Sequence, residues 1–68
     1  MSNIVEKLKE AVHQPTAVQF DYDLERRTVE IEDVTTNAEG QYYVVGFDVN
    51  RQGYRRFHAN QIRNLTVN

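Results

Sequence analysis

The sequence predicts a mainly β domain, in which a short N-terminal α-helix precedes a five-stranded antiparallel barrel of the SH3-like or Sm-like type. Apolar residues recur at helical spacing only near the N-terminus. From residue 16 onward they alternate with polar residues, in short segments that turn sequences separate. An open sheet of five strands would expose two edges, and closure into a barrel removes most of that exposure.

Length and composition limit what this chain can be. Its 68 residues predict a single small domain over residues 1–68. A chain of this size buries only about 60% of its unfolded surface, which leaves little room for an enclosed active-site pocket. The absence of cysteine excludes a disulfide framework and a thiolate zinc site, so we expect a cytoplasmic protein. No apolar run is long enough for a signal peptide or a membrane span.

A helix is predicted over residues 3–13. Asn3 and Glu6 have the spacing of a capping box, in which each side chain accepts a hydrogen bond from a free backbone amide. Pro15 cannot continue the helix and restricts the residue before it, so we expect the helix to end near His13. One stripe of the helix is apolar, and it consists of Ile4, Val5, Leu8, Ala11 and Val12.

Five strands are predicted over residues 16–67. Alternation places Val18, Phe20 and Tyr22 on the buried face of the first strand. The remaining strands are predicted at residues 28–34, 41–48, 54–58 and 62–67, with turns at 24–26, 36–40 and 50–53 and a short link at 59–61. The third strand is apolar at both odd and even positions, which predicts burial on both faces or a strong bend, with Gly46 as the bend site.

Charge is distributed unevenly along the chain. The net charge of −2 predicts by itself no affinity for nucleic acid. Residues 1–38 hold eight acidic and four basic side chains, for −4, and residues 39–68 hold two acidic and four basic ones, for +2. The two halves of the sequence are therefore polarised.

Residues 42–62, YYVVGFDVNRQGYRRFHANQI, resemble the signature of WYL domains. That signature runs roughly W-Y-L-V-A-Y-D, two variable residues, R, a short turn, W-R-x-F-R and then L-D-R-I. The matching positions here are Tyr42, Tyr43, Val44, Phe47, Asp48, Arg51, Tyr54, Arg55, Phe57 and Ile62. With VQFDY at residues 18–22 resembling the family's opening segment, the likeness covers about residues 16–67.

The resemblance implies an Sm-like barrel that serves as a ligand-sensing module. Family members are usually attached to helix-turn-helix regulators, helicases or CRISPR-associated proteins, and their basic groove is thought to bind nucleotides or single-stranded nucleic acid. Because only the short helix precedes the barrel, we expect a free-standing module. Three groove positions differ from the family pattern, since His58 replaces an arginine and Asn60 and Gln61 replace Asp and Arg.

Arginines beside aromatic residues suit a nucleotide or a single strand, because guanidinium groups pair with phosphate and rings stack on bases. The candidate ligand-binding residues are Arg51, Arg55, Arg56, Tyr43, Tyr22 and His58. Strand parity places Arg55 on the face of Phe57, from which it must extend to the barrel rim, and Arg56 on the opposite face as a surface charge. The alternative is structural: the tyrosines fill the core, and the arginines keep the hairpin soluble, with Arg55 paired to Asp48.

No enzyme, metal site or cofactor is predicted. The chain has no cysteine and a single serine, Ser2, near its N-terminus, so no nucleophile is available for a catalytic triad. Asp21 and Asp23 share a strand face but lack a calcium-loop pattern. Together with Glu30 and Glu32 they would repel phosphates, so we expect an anionic ligand to approach the other side.

The sequence therefore indicates two alternative functions. The first is a regulatory module that binds an anionic ligand through Arg51 and Arg55, with help from Tyr22, Tyr43 and His58. The second is a protein-interaction or assembly module without nucleic-acid binding, of the kind that also occurs among phage accessory proteins. The changes at His58 and Gln61 and the net negative charge favour the second. The sequence leaves the oligomeric state open.

Overall fold

The computed structural model describes residues 3–14 and 16–67, except for the side chain of Asn3. The capping box of Asn3 and the helix stop at Pro15 therefore fall outside the described residues, as does Ser2. The elements in chain order are α1 (Asn3–Ala11), β1 (Val18–Tyr22), β2 (Glu25–Thr36), β3 (Tyr42–Asp48), β4 (Gly53–His58), a 3₁₀ turn (Ala59–Gln61) and β5 (Arg63–Val67). The predicted fold class, a short helix followed by five antiparallel strands, is confirmed.

The helix tightens at its C-terminal end before the chain leaves it. The amides of Val12, His13 and Gln14 donate to carbonyls three residues earlier, at 3.0–3.3 Å. Such i to i−3 bonds are typical of a last helical turn that satisfies carbonyls left without α-helical partners. Regular α-helix therefore ends at Ala11, two residues before the predicted end at His13.

The five strands form one antiparallel sheet in the order β4-β3-β2-β1-β5, so β4 and β5 are its outer strands. In a flat sheet the outer strands would lie about 19 Å apart, from four spacings of about 4.8 Å. Only four residues separate His58 from Arg63, and three of them form a 3₁₀ turn with a rise of about 2 Å per residue. The sheet must therefore curl to bring its outer strands together. Among residues 3–14 and 16–67 no pairing joins β4 to β5, so closure into a barrel stays a prediction.

The inner face of the curled sheet and the apolar stripe of α1 form one core. Val5, Leu8 and Ala11 of the helix are buried, and α1 contacts β2 and β5. The strands, the 3₁₀ turn and the residue after it contribute Val18, Phe20, Tyr22, Val29, Ile31, Val44, Phe57, Ala59 and Ile62. The period of two predicted for β1 is confirmed, because Val18, Phe20 and Tyr22 are buried and the residues between them are partly exposed.

Gly46 leaves no room for a side chain between β2 and β3. A Cβ atom at Gly46 would lie 2.5 Å from Val29 Cγ1 and 2.8 Å from the Glu30 carbonyl oxygen. The register of the pair shifts here, since Ile31 faces Gly46 but Asp33 faces the next residue, Val45. The extra residue lies in β2, opposite the position at which the sequence predicted a bend, and such bulges increase local twist and bending.

Candidate ligand-binding site

The structure does not bring the six predicted ligand-binding residues together. Arg51, in the turn between β3 and β4, and Arg55, on the inward side of β4, both lie near Asp48. Tyr43, Arg56 and His58 lie on the opposite, outer face of the β3-β4 hairpin, and Tyr22 is in the core. The six residues therefore occupy three separate environments: the surroundings of Asp48, the outer face of the hairpin and the core.

Arg51 and Arg55 belong to a cluster that also contains two carboxylates and a third arginine. We call this set, which consists of Glu25, Arg27, Asp48, Arg51 and Arg55, the arginine cluster. Alternation along the strands explains its position, because Glu25 and Arg27 continue the inward column of Val29 and Ile31 in β2. Asp48 ends β3, and the turn after it supplies Arg51.

The lower layer of the cluster is a buried ion pair. Asp48 is 1% exposed and the side chain of Arg27 is 9% exposed. Arg27 Nη1 donates to Asp48 Oδ2 at 3.2 Å, and the backbone amide of Arg51 donates to Asp48 Oδ1 at 3.3 Å. The Arg27 guanidinium also lies 5.9 Å from the centre of the Phe57 ring. A buried carboxylate is tolerated when its oxygens are hydrogen-bonded in this way.

The upper layer is open to solvent and carries an excess of positive charge. Side-chain exposures are 52% for Glu25, 43% for Arg51 and 46% for Arg55. Glu25 Oε2 accepts a hydrogen bond from Arg51 Nη2 and lies 3.5 Å from Nη2 of Arg27. Three guanidinium groups and two carboxylates give the arginine cluster a formal charge of +1.

Two guanidinium Nε atoms of the cluster have no hydrogen-bond partner within the part of the chain that the structure describes. Arg55 Nε lies 4.0 Å from Asp48 Oδ2, which is beyond hydrogen-bond distance. Arg27 Nε is buried and has no hydrogen-bond partner there. Leaving a buried donor without an acceptor costs about 1–3 kcal/mol. Of these two side chains only that of Arg55 is exposed, so its donors are the ones that face solvent.

The outer face of the β3-β4 hairpin presents aromatic rings and a cation. The guanidinium of Arg56 lies 5.6 Å from the centre of the Tyr43 ring, and His58 faces Tyr43 across the strand pair. Phe47 and Tyr54 contact each other edge to face at 5.2 Å, and Tyr54 is 68% exposed. Arg56 thus lies on the face that strand parity predicted, with its charge over an aromatic ring.

Tyr22 is part of the structural core. It is 9% exposed, and its ring meets Phe57 edge to face at 4.9 Å. Its hydroxyl oxygen accepts a hydrogen bond from the backbone amide of His58 at 3.1 Å. The contact ties β1 to β4, which are not neighbours in the sheet. Tyr22 thereby fixes the backbone that carries His58.

The acidic face of β1 is partly neutralised by its own neighbours. Asp21 accepts hydrogen bonds from Asn64 Nδ2 at 2.7 Å and from Arg26 Nη1 at 3.1 Å. These contacts lower the pKa of Asp21 below its usual value, and the hydrogen bond from Asn64 has the largest effect. Arg26 also donates to the Asn64 carbonyl and to Thr66 Oγ1, so the network joins the β1-β2 hairpin to β5. Among residues 3–14 and 16–67, no three His, Asp or Glu side chains could hold a metal ion.

Two members of the arginine cluster, Glu25 and Arg27, were not among the predicted site residues. Residues 24–26 were predicted to form a turn and the second strand to begin at Thr28, whereas β2 begins at Glu25. The alternation of the second strand did contain a signal for these two residues. Side chains two residues apart in a strand face the same side, so Arg27 and Glu25 share the inward face of Val29. A charged residue at a predicted core position indicates either a buried ion pair or a site.

The protein is a small β domain in which a curled sheet carries an accessible cationic cluster. The family model of the WYL domain matches residues 3–67, and the chain belongs to this family. The match therefore extends the predicted likeness to include the helix. WYL domains are commonly regulatory or ligand-binding modules and are generally non-catalytic.

No curated protein matches the sequence. The single described helix, of nine residues, is too short to cross a membrane.

Proposed function

We propose that this protein is a non-catalytic regulatory module that binds a nucleotide or a short single strand through the arginine cluster. The observation that carries the proposal is the meeting of Arg27, Arg51 and Arg55 around two carboxylates, with two of the three side chains open to solvent. Guanidinium groups bind phosphate through charge-assisted hydrogen bonds, which are about twice as strong as neutral ones.

The contacts of Glu25 indicate that an anionic oxygen fits this place. Its Oε2 atom lies between the guanidinium groups of Arg27 and Arg51, where a phosphate oxygen would be held equally well. The outer aromatic face gives a longer ligand a second contact surface, because Tyr54 is exposed and Tyr43 is partly exposed. His58, whose backbone Tyr22 holds, lies on the same face.

The experiment compares two neighbouring arginines of β4 that point to opposite faces. Arg55→Ala removes an arginine of the cluster, and Arg56→Ala removes the same charge from the outer face. We expect Arg55→Ala to weaken binding of a fluorescent single strand about tenfold at low salt, the value of one charge-assisted hydrogen bond. The Arg56→Ala variant should lose only the small, general contribution of a surface charge.

Fluorescence anisotropy at several salt concentrations provides the measurement. Binding should weaken steeply with salt, and the slope should be shallower for Arg55→Ala than for the wild type, because one phosphate contact is lost. A larger loss for Arg56→Ala than for Arg55→Ala would move the site to the outer face. An absence of binding at low salt for every nucleotide and single strand tried would contradict the proposal.

A second function, a protein-interaction module, is favoured by Leu24. This residue is fully exposed at the tip of the β1-β2 hairpin and has φ 65°, a conformation that costs a non-glycine residue about 1–2 kcal/mol. A large apolar side chain held there suits insertion into a partner. Sedimentation at low and high concentration, beside binding to random single-stranded DNA, separates the two functions. A monomer that binds DNA disfavours this one, and an oligomer indifferent to DNA disfavours the first.

A further inference from the structure

We propose that the arginine cluster selects a terminal phosphate monoester over an internal phosphodiester, and that Glu25 is the internal carboxylate which the ligand displaces. This inference rests on the proposed function and deepens it.

Glu25 and Asp48 are both carboxylates of the cluster, but only Glu25 can leave it. Asp48 is 1% exposed and holds both the Arg27 guanidinium and the Arg51 amide. Glu25 is 52% exposed at the first position of β2, and both of its described partners are arginines. A half-exposed ion pair of this kind contributes little stability, about 0–1 kcal/mol, so moving its carboxylate into water costs little.

The charge balance favours a doubly charged ligand. With Glu25 in place the cluster carries +1, and without it three arginines face Asp48 alone, for +2. A phosphodiester carries a single negative charge, so replacing the Glu25 carboxylate with it exchanges one anion for an equivalent one. A terminal phosphate carries a charge of about −1.5 to −2 at neutral pH, and its binding improves the neutralisation of the cluster.

The unused donors lead to the same conclusion. A terminal phosphate offers three strong acceptor oxygens, one more than an internal diester. The cluster contains three guanidinium groups: that of Arg55 makes no hydrogen bond within the described residues, and Nη2 of Arg27 lies 3.5 Å from the Glu25 oxygen that the ligand replaces. Arg51 becomes fully available when Glu25 moves away. A group with three acceptors therefore fits the three guanidinium groups better than a group with two.

The test uses two single strands of identical sequence, about six nucleotides long, with and without a 5′-phosphate. Their affinities are measured by anisotropy at one fixed low salt concentration. We expect the unmodified protein to bind the 5′-phosphorylated strand about tenfold more tightly, as for one additional charge-assisted hydrogen bond. Equal affinities would overturn the inference and leave the proposed function standing. Failure of both strands to bind any of the proteins tested would instead contradict the proposed function.

The role of Glu25 is tested with Glu25→Gln and the matched control Glu30→Gln. Both variants lose one negative charge from β2, but Glu30 is exposed and makes no described contact with the cluster. Because either strand must displace the Glu25 carboxylate, Glu25→Gln should bind both strands about threefold more tightly and keep the preference for the phosphorylated strand. Glu30→Gln should bind both strands as the wild type does.

Affinities of wild-type size in Glu25→Gln would overturn the role of Glu25. An equal gain of affinity in both variants would also overturn it, since that result would indicate a general effect of charge. Thermal unfolding of all three proteins verifies that they are folded. The comparison of the two strands on the unmodified protein requires no variant, so it tests the choice of phosphate even if Glu25→Gln fails to fold.

Discussion

Asp48 organises the arginine cluster through three contacts from three parts of the chain. It accepts a hydrogen bond from Arg27 of β2, accepts another from the amide of Arg51 in the turn, and lies 4.0 Å from Arg55 Nε. The structural alternative that the sequence suggested, a pair of Asp48 with Arg55 across the hairpin, is present as an ion pair at 4.0 Å. The hydrogen-bonded side-chain partner of Asp48 is Arg27, so the donors of Arg55 have no described hydrogen-bond acceptor.

Replacing Asp48 with Asn should destabilise the fold strongly. The substitution removes the charge that compensates the buried Arg27, and breaking a buried pair in this way costs about 3–5 kcal/mol. Asp33→Asn is the matched control, because Asp33 is exposed and its described hydrogen bond, from the amide of Val34, can be kept by Asn. Urea unfolding measures both. A loss for Asp48→Asn no larger than that for Asp33→Asn would show that the buried pair is not a structural element.

The pairing of β2 with β3 shows what strand patterns predict and what they miss. Val29 and Ile31, which alternate with polar residues in the predicted second strand, are core residues. The register shift lies in β2 opposite Gly46, the position at which the sequence predicted a bend of the third strand. The start of β2 was missed because the preceding turn, Asp23-Leu24, has positive φ at both residues without the glycine or asparagine that usually marks such turns. Local sequence therefore gave no sign that the hairpin was so tight, and Arg27 was not recognised as inward-facing.

Gly46→Ala should weaken this strand pair. The added methyl group would lie within contact distance of the Glu30 carbonyl and the Val29 side chain, and relieving such overpacking costs about 1–3 kcal/mol. Gly53→Ala is the control, since its Cβ would meet no atom closer than 3.9 Å. That variant should be neutral or more stable by up to about 1 kcal/mol, because alanine restricts the unfolded chain. Equal thermal stabilities of the two variants would contradict the close approach.

At the scale of the whole molecule, folding mixes the two charge halves of the sequence. The N-terminal half carries −4 and the C-terminal half +2, and the acidic side chains of the first two strands were expected to repel a phosphate. The fold instead brings Glu25 and Arg27 from the acidic half against Arg51 and Arg55 from the basic half. The net charge of a segment could not show this, because curling the sheet places residues distant in sequence at one end of the molecule.

The sequence likewise grouped rings and arginines of one hairpin into one site, although alternate residues of a strand face opposite sides. Parity already separated Arg55 from Arg56, and the structure extends that separation to Tyr43 and His58. Which of the two faces receives the ligand depends on which cations are uncompensated. That property depends on tertiary contacts, such as those of Glu25 and Asp48, and a local pattern does not contain it.

The most direct test of binding at the arginine cluster is a titration followed by nuclear magnetic resonance of backbone amides and arginine Nε groups. A 5′-phosphorylated single strand is added at low salt to the ¹⁵N-labelled protein. The Nε signals of Arg27, Arg51 and Arg55 should shift together with the amide of Asp48, and that of Arg56 should shift less. Shifts confined to Arg56, Tyr43 and His58, or no shifts at saturating ligand, would contradict binding at the cluster.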